Sequence, residues 1–579
     1  MTNCIFMYNN LIDDSGASIT PSSAVSTFPI GNLQNPFRTK VARVSGVAEW
    51  YGTNLVADGG MEELGGWDQY GTPANEQRTA TEYYEGSYSW YFESNGANDG
   101  VSNVTAWTQT TGKTYLCSGY VLPDSGTTVN VKVLRGDGAA AAYDVQHTDL
   151  TQSAWNHIEF VYTDISGGAA AEIAFYDGDG DTGDWYVDKV QVFEGLVTNG
   201  GFEIGGTGDN FNGGAEVDDG TSDTFTGWTN VSVNDGAGDK IEATATKKTQ
   251  SYAVKLTRTT QTTYMYQYIS VTAGRVYKLS FWARGDGANA GEYRLYDVQN
   301  AAWIISTTST GVSGATYTEV TVVFTVPSGC TQVSIHLRST SVAGTAYFDC
   351  VHVQEVITGY ITFDLGSHGL TDIDCVALAN YSWGSNPGRV TLEHNTSAQN
   401  TSWCNPETTA DLTWALRPTA NGNEACIVSQ FTDTSDQYFR LVFSDGASTS
   451  VYNSDIGRIY IGPSFTPTLD YEHSGYELDF NDPSMLSQTP DGQKHLDELT
   501  AYRYVKFNFK VTTQAQLESF QKMWNEVRMR KNLFVAFDYD NEANEMTIYG
   551  MFVTPMRTFH SDPEWPDLRR VYLEFEEAR

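Results

Sequence analysis

The run DGDGDTGD, Asp177 to Asp184, sets carboxylates at alternate positions, the spacing at which a loop can gather oxygen ligands around calcium. An EF-hand wants glycine at the sixth position of such a loop, and Thr182 stands there. The run therefore reads first as a turn of solvated acids, with calcium as the alternative. Paired carboxylates are also what glycoside hydrolysis requires, about 5 to 9.5 Å apart across a sugar. The 71 acidic residues leave such a pair open, but no catalytic-domain scaffold surrounds any of them in the sequence. H-E-x-x-H, G-x-S-x-G, P-loop and paired Cys-x-x-Cys patterns are absent. The chain is expected not to be an enzyme. The RGDG runs at Arg135 and Arg284 read as hairpin turns, with glycine supplying positive φ.

Only 34 lysines and arginines offset the acids, for a formal net charge of −37. Wrapping phosphates takes basic surface, so nucleic acid is not an expected partner, and neither is an anionic membrane surface. No apolar run reaches the roughly 18 residues that span a bilayer, so no membrane insertion is expected. MTNCIFMYNNLIDDSG has no basic n-region, apolar h-region or cleavage site and does not read as a signal peptide. Seven cysteines in no tight spacing point to synthesis in a reducing cytoplasm with buried free thiols.

The elements that must position any site repeat themselves. Trp228 follows Trp67 by 161 residues, and at that spacing TTGKTYLCSGYVLPDSG (from Thr110) falls on VTAGRVYKLSFWARGDG (from Val271), and GDWYVDKVQVFE (from Gly183) on GTAYFDCVHVQE (from Gly344). AAYDVQ also matches RLYDVQ. Glu62 and Glu203, each after two glycines and a large apolar residue, are 141 apart, so the second copy carries about 20 extra residues in a loop over 205–226. Each copy alternates like a β-strand protein. In YKLSFWA, Leu279 and Phe281 face one side and Ser280 and Trp282 the other; in WYVDKVQV, Tyr186, Asp188, Val190 and Val192 are expected to share a face. Thr, Val and aromatics broken by Gly, Asn and Asp make the fold class all-β: multiple β-sandwich (jelly-roll) domains. A small C-terminal α+β domain follows, with one amphipathic helix over about Thr513 to Arg530. Thr513 and Gln516 make a capping box, and Leu517, Phe520, Trp524 and Val527 share its apolar face.

The opening N-G-G-F-E with its Gly-Trp, the strand G-x-x-Y-x-x-S-F-W-A-R and the closing A-Y-F-D-x-V-x-V resemble carbohydrate-binding modules of the family 4/9/22 kind, over the whole of each copy. The first copy departs, with Met61 for Phe and Pro123-Asp124 where the second has Ala283-Arg284. The resemblance implies a structural Ca²⁺ held by Glu62 with Asp188 and by Glu203 with Asp349. The other reading is that these are turn carboxylates or accept backbone N–H bonds. It also implies sugar binding, with Tyr88, Trp90, Trp185, Tyr252 and Trp282 as stacking platforms or, alternatively, as core. Trp67 and Trp228 read as structural.

The flanks carry a second resemblance. NLQNPFRTKVAR, then ITFDLGSHGLTDIDCVALANYSW, YFRLVF and IGRIYIG follow the order of a discoidin-like, galactose-binding-like jelly roll, once 53–355 is set aside. The expected domains are that split jelly roll (1–52 and 356–464), two modules (53–194 and 195–355) and the α+β domain (465–579). The arrangement looks like tail proteins of tailed bacteriophages. It implies a non-enzymatic virion protein, at the tail or tail tip, whose modules adhere to bacterial surface glycans. Its other partners would be tail proteins and further copies of itself, as a homo-oligomer in the particle. A capsid or tail decoration protein that binds no sugar, and a carbohydrate-active enzyme or its accessory subunit, are the alternatives.

Overall fold

The computed structural model describes residues 4–578 apart from 14–16, 22–29, 35–41, 47–48, 136–142, 165–169, 203–221, 232–236, 367–369, 383–388, 396–407, 413–425, 445–451, 468–475, 489–493, 498–501, 538–546, 561–568 and ten single positions (53, 63, 97, 125, 179, 181, 249, 358, 483 and 512). The chain forms two compact units. One is Glu49–Ile357; the other is the flanking chain, Met1–Ala48 with Thr358–Ala398 and Pro406–Arg579. Among the described residues every strand pairing is antiparallel, and the fold is all-β with a single α-helix.

In Glu49–Ile357 each copy is a two-sheet sandwich, and the two have the same strand order. Sheet one of the first copy runs Asn156–Thr163, Lys113–Pro123, Gly183–Thr198, Ser89–Ser94, Asn75–Thr79. Sheet two runs Tyr143–His147, Val129–Arg135, Ala170–Asp177, Gly100–Asn103, Trp67–Tyr70. In the second copy the same orders are Thr318–Thr325, Val276–Arg284, Gly344–Ile357, Ala253–Arg258, Lys240–Thr244, and Ala302–Ser309, Glu292–Asp297, Gln332–Arg338, Tyr264–Ser270, Thr229–Val231. The YDVQ match does not follow this correspondence. Tyr143–His147 is an edge strand, whose counterpart is Ala302–Ser309, whereas Tyr296 and Asp297 lie one strand further in.

The opening motif makes the same turn twice. Asp58 and Met61 have φ of 51° and 57°, Asn199 and Phe202 of 50° and 54°. Trp67 Nε1 donates to Asp58 O at 3.0 Å, and Trp228 Nε1 to Asn199 O at 3.2 Å, so both tryptophans are structural. The first glycine of each pair lies against the last strand: Val190 N donates to Gly59 O at 2.7 Å and Val351 N to Gly200 O at 2.8 Å. A Cβ on Gly59 would sit 2.0 Å from Val190 O, and one on Gly200 1.9 Å from Val351 O, so only glycine permits the approach.

The closing strand corrects one expectation. Tyr186 and Asp188 do not share a face with Val190 and Val192; these valines join Trp185 and Val187 in the core. A bulge is the reason. Lys189 has φ 46° and the register shifts between Ser118 and Tyr120, so the alternation skips a residue. Cys350, φ 52°, repeats the bulge in the second copy.

The copies are packed together. Leu116, Val161 and Phe193 of the first meet Cys350 of the second, with Trp50 and Trp282 against them. Gln250 bonds the Thr163 backbone both ways, accepting from its N–H at 2.7 Å and donating to its carbonyl at 2.9 Å.

In the flanking unit the two halves of the chain interleave. Ser18–Pro21 pairs with Gly359–Asp364, and Ala42–Gly46 with Tyr452–Gly462, around a core that includes Leu33, Ile361, Leu378 and Ile459. Residues 5–7 depart from the expected boundary. Ile5–Met7 joins the C-terminal sheet between Ser464–Phe465 and Leu533–Ala536. It is buried on both faces, Phe6 toward the helix layer and Ile5 and Met7 toward Cys375 and Ala377. The helix α1 spans Gln514–Val527, with Thr513 as its N-cap, accepting from Gln516 N. Leu517, Phe520, Met523 and Val527 are its buried residues, and Trp524 is half-buried against Phe552 at 5.6 Å. The six described cysteines are buried, and no disulfide joins them. Among the described residues no helix is long and apolar enough to cross a membrane.

Candidate functional site

The sequence-derived aromatic candidates separate into different surroundings. Trp185 is sealed in the first core, parallel to Phe92 with centroids 6.1 Å apart. Trp90 is also core, its Nε1 donating to Glu76 at 2.9 Å. Neither presents a ring face, because the strand alternation turns both inward. Tyr88 is half-buried, with the Arg78 guanidinium 3.8 Å from its ring centroid. Tyr252 is half-buried just before Ala253–Arg258. Trp282 is half-buried between the copies, with Lys248 Nζ 3.9 Å from its ring centroid.

The carboxylates of the first copy do converge, on one loop. Asp188 is fully buried; Oδ2 accepts from Tyr84 N at 2.7 Å and Glu85 N at 3.0 Å, and Oδ1 from Lys189 N at 2.6 Å. Glu62 Oε1 accepts from Ser87 N at 2.7 Å and Tyr88 N at 3.2 Å. Asp349 repeats the pattern with Lys248 N and Cys350 N, each at 2.7 Å. Glu203 lies outside the described residues. These oxygens face N–H donors, whose positive ends would oppose a cation. Among the described residues no three His, Cys, Asp or Glu side chains are placed to hold a metal ion. As placed, Glu62, Asp188 and Asp349 clamp their loops by accepting from backbone N–H groups. Burial first, against these three N–H bonds, pushes the Asp188 carboxyl up to about 7.

A different set of rings stands together on the outward face of sheet two in the second copy. Register aligns them in rows. Tyr268, Ser334, Tyr296 and Trp303 are partners across four strands; Tyr266, His336 and Arg294 form the next row; Tyr264, Arg338 and Glu292 the third. Trp303 is 45% and Tyr268 51% exposed. Tyr296 meets Trp303 at 4.7 Å, and Tyr266 meets Tyr268 at 5.1 Å and His336 at 5.3 Å. The Arg294 guanidinium lies 4.3 Å from the Trp303 centroid and 5.0 Å from that of Tyr264.

Burial, then Arg294 and Arg338, lowers His336 to about 4, so the ring is neutral at pH 7. An arginine can only donate, so His336 Nδ1 accepts from Arg294 at 3.3 Å. Its Nε2 then carries the proton and donates to Ser334 Oγ at 3.0 Å. The result is a floor of polar groups with fixed donor directions, bordered by aromatic rings. Such rings offer flat apolar faces on which C–H groups can stack, and the guanidinium beside them is a donor that hydroxyl groups can use. The corresponding sheet of the first copy is poorer. Tyr176 is buried, and Lys132 Nζ covers it at 5.0 Å while bonding Tyr70 Oη at 3.2 Å.

Sequence reasoning missed this face. YMYQY, Tyr264 to Tyr268, did carry the signal: three rings at period two, all on one side of a strand. Arg294, Trp303 and His336 join it only through strand register.

A comparison with protein-family models gives no match for the chain, and a search of curated proteins gives none. Among solved structures it is similar to the CBM22-1–CBM22-2 tandem domain of Paenibacillus barcinonensis Xyn10C, at 15% identity over 53% of this chain and 99% of that one, TM-score 0.21. TmCBM61, solved with β-1,4-galactotriose, is similar at 17% identity over 24% of this chain and 98% of that one, TM-score 0.21. Tailspike protein 4 of bacteriophage CBA120 is similar at 21% identity over 22% of this chain and 19% of that one, TM-score 0.19. Scores of this size carry no argument about function. The sandwich assignment rests on the strand orders above.

Proposed function

We propose that the chain is a non-enzymatic glycan-binding protein, and that sugars stack on sheet two of the second copy. The observation that carries this is the row Tyr268–Ser334–Tyr296–Trp303 beside the Arg294–His336 pair, aromatic and polar groups aligned on one outward face. The wider reading is adhesion to bacterial surface glycans from a phage tail. In it the flanking unit joins the modules to other virion proteins, as part of a homo-oligomer. Many copies on one particle would raise avidity by roughly 10² to 10⁴ over a single weak site. Motif order in the flanks supports that placement; labelled antibody on purified particles tests it, and a signal away from the tail refutes it.

Glycan binding is tested by affinity electrophoresis of the full chain through a panel of soluble polysaccharides, xylan and β-1,4-galactan among them. Trp303 is 45% exposed, which leaves about 110 Å² of a roughly 250 Å² side chain in water. A sugar covering half of that removes about 55 Å², worth about 1.4 kcal/mol, or tenfold in affinity. Trp303→Ala is expected to weaken retardation by about that factor. No retardation of the natural chain by any polysaccharide points to an architectural role and refutes the reading; polysaccharide turnover makes the chain an enzyme.

A further inference from the structure

We propose a second sugar-stacking platform, on sheet one of the first copy: a corner formed by Tyr84 and Trp155, with Tyr83 beside it and the Lys189–Glu85 pair at its edge. It rests on the glycan-binding reading above but uses other residues. The Tyr84 ring lies over Tyr120 with centroids 3.6 Å apart and planes 15° apart. Trp155 stands to Tyr84 at 68° with centroids 6.0 Å apart, so one ring is a floor and the other a wall. Tyr83 and Tyr84 are 47% and 42% exposed, and Tyr120 and Trp155 are half-buried beside them. Single exposed rings are ordinary, whereas adjoining ones make a patch that signals a ligand.

The platform is built in advance of any ligand. The loop that carries Tyr83 and Tyr84 is held by its backbone: Asp188 takes the N–H groups of Tyr84 and Glu85, and Glu62 those of Ser87 and Tyr88. A ring fixed in this way loses little freedom on binding, so more of the stacking energy appears as affinity.

The polar edge selects the ligand class. Lys189 Nζ lies 2.9 Å from Glu85 and 5.7 Å from the Tyr84 ring centroid. The opposite charges offset one another, leaving a donor and an acceptor for hydroxyl groups and no net charge to attract an ion. The chain's net charge of −37 repels polyanions. A neutral pyranoside fits both facts.

The second copy provides an internal comparison. Trp282 stands 162 residues after Tyr120, at the matching place in its strand. There the ring lies under Lys248 and packs against the cluster between the copies. In the first copy Tyr84 instead extends the stack outward. Packing of the sandwich therefore does not require exposed rings at this place.

The test is a glycan array probed with the full chain and three variants: Trp303→Ala/Tyr268→Ala, Tyr84→Ala/Trp155→Ala, and all four together. Tyr84→Ala removes the ring and keeps the N–H that reaches Asp188. Should the Trp155 change prevent folding, Tyr83→Ala/Tyr84→Ala replaces it. With Trp303 and Tyr268 gone, a residual set of neutral glycans is expected to stay bound, and the fourfold variant is expected to lose it. Loss of all binding in Trp303→Ala/Tyr268→Ala, or a residual set unchanged in the fourfold variant, overturns the platform. If only Tyr84→Ala/Trp155→Ala abolishes binding, the platform stands and the sheet-two face falls. A natural chain that binds no glycan overturns both.

Discussion

Gly200→Ala tests the most exacting contact in the sandwich. The added Cβ would lie 1.9 Å from Val351 O and 3.0 Å from Thr114 Oγ1. Gly200 is absent from the positive-φ residues, so the penalty is steric alone. An ordinary contact needs about 3.5 Å, so the opening turn and the last strand must part by roughly 1.5 Å. The Val351 N–H to Gly200 O bond, now 2.8 Å, does not survive that movement. Overpacking costs about 1–3 kcal/mol and the lost bond about 1 kcal/mol, so the expected destabilisation is about 3 kcal/mol. For a domain of this size that lowers Tm by about 6–12 °C. Differential scanning calorimetry of the full chain measures it. Gly314→Ala is the control, because its Cβ would meet nothing within 4 Å and its φ is not positive. It is expected to stay within about 0.5 kcal/mol of the natural chain. If the two variants unfold together, the close-approach reasoning is refuted, and with it the explanation of the paired glycines in both copies.

Asp188 gives a pH dependence. Its folded value of about 7 lies above the ordinary value near 3.9 of an unfolded aspartate, so between those pH values the folded chain holds a proton that the unfolded chain lacks. That stabilisation is complete below about pH 4 and is lost as pH rises through 7. Between pH 5 and 8 the natural chain should lose on the order of 3 kcal/mol relative to Asp188→Asn, read as the difference between their unfolding midpoints; parallel pH profiles sink this. Calcium at a hundredfold excess over a binding constant would add about 2.7 kcal/mol of stability. No rise is expected here, because N–H groups occupy the Asp188 oxygens, and a calcium-dependent Tm would contradict the clamp. Thr513→Ala removes the acceptor for Gln516 N, 3.3 Å away, and should cost about 1 kcal/mol, seen as earlier loss of helical signal on heating.

What was legible in the sequence was whatever depends on local pattern. The doubled opening motif, the β alternation and the Thr513 cap are set by neighbours along the chain, and the structure has each of them. What depends on a single inserted residue was not legible. The bulges at Lys189 and Cys350 reverse the facing of everything after them, and nothing in WYVDKVQV marks the skipped position. The YDVQ likeness misleads because four similar residues outweigh a spacing of 153 residues from Tyr143 to Tyr296, where Trp67 and Trp228 stand 161 apart and Tyr120 and Trp282 stand 162 apart. The motifs around Trp90 and Trp185 are conspicuous in the sequence for structural reasons, and both rings are core. The face with Trp303 draws on four strands. It becomes visible only when Tyr268 is known to lie level with Ser334, and Ser334 with Tyr296.

Glu49–Tyr51 pairs with the end of Gly344–Ile357, Tyr51 beside Glu355 and Glu49 beside Ile357. The backbone therefore enters and leaves this 309-residue stretch on adjacent strands, whose Cα atoms in such a ladder are about 5 Å apart. A stretch with neighbouring ends is a cassette. It can be cut out and the gap bridged by two or three residues, or exchanged for another domain of matching end spacing. Recombination could thus replace this stretch in one event and leave the flanking chain's sequence untouched.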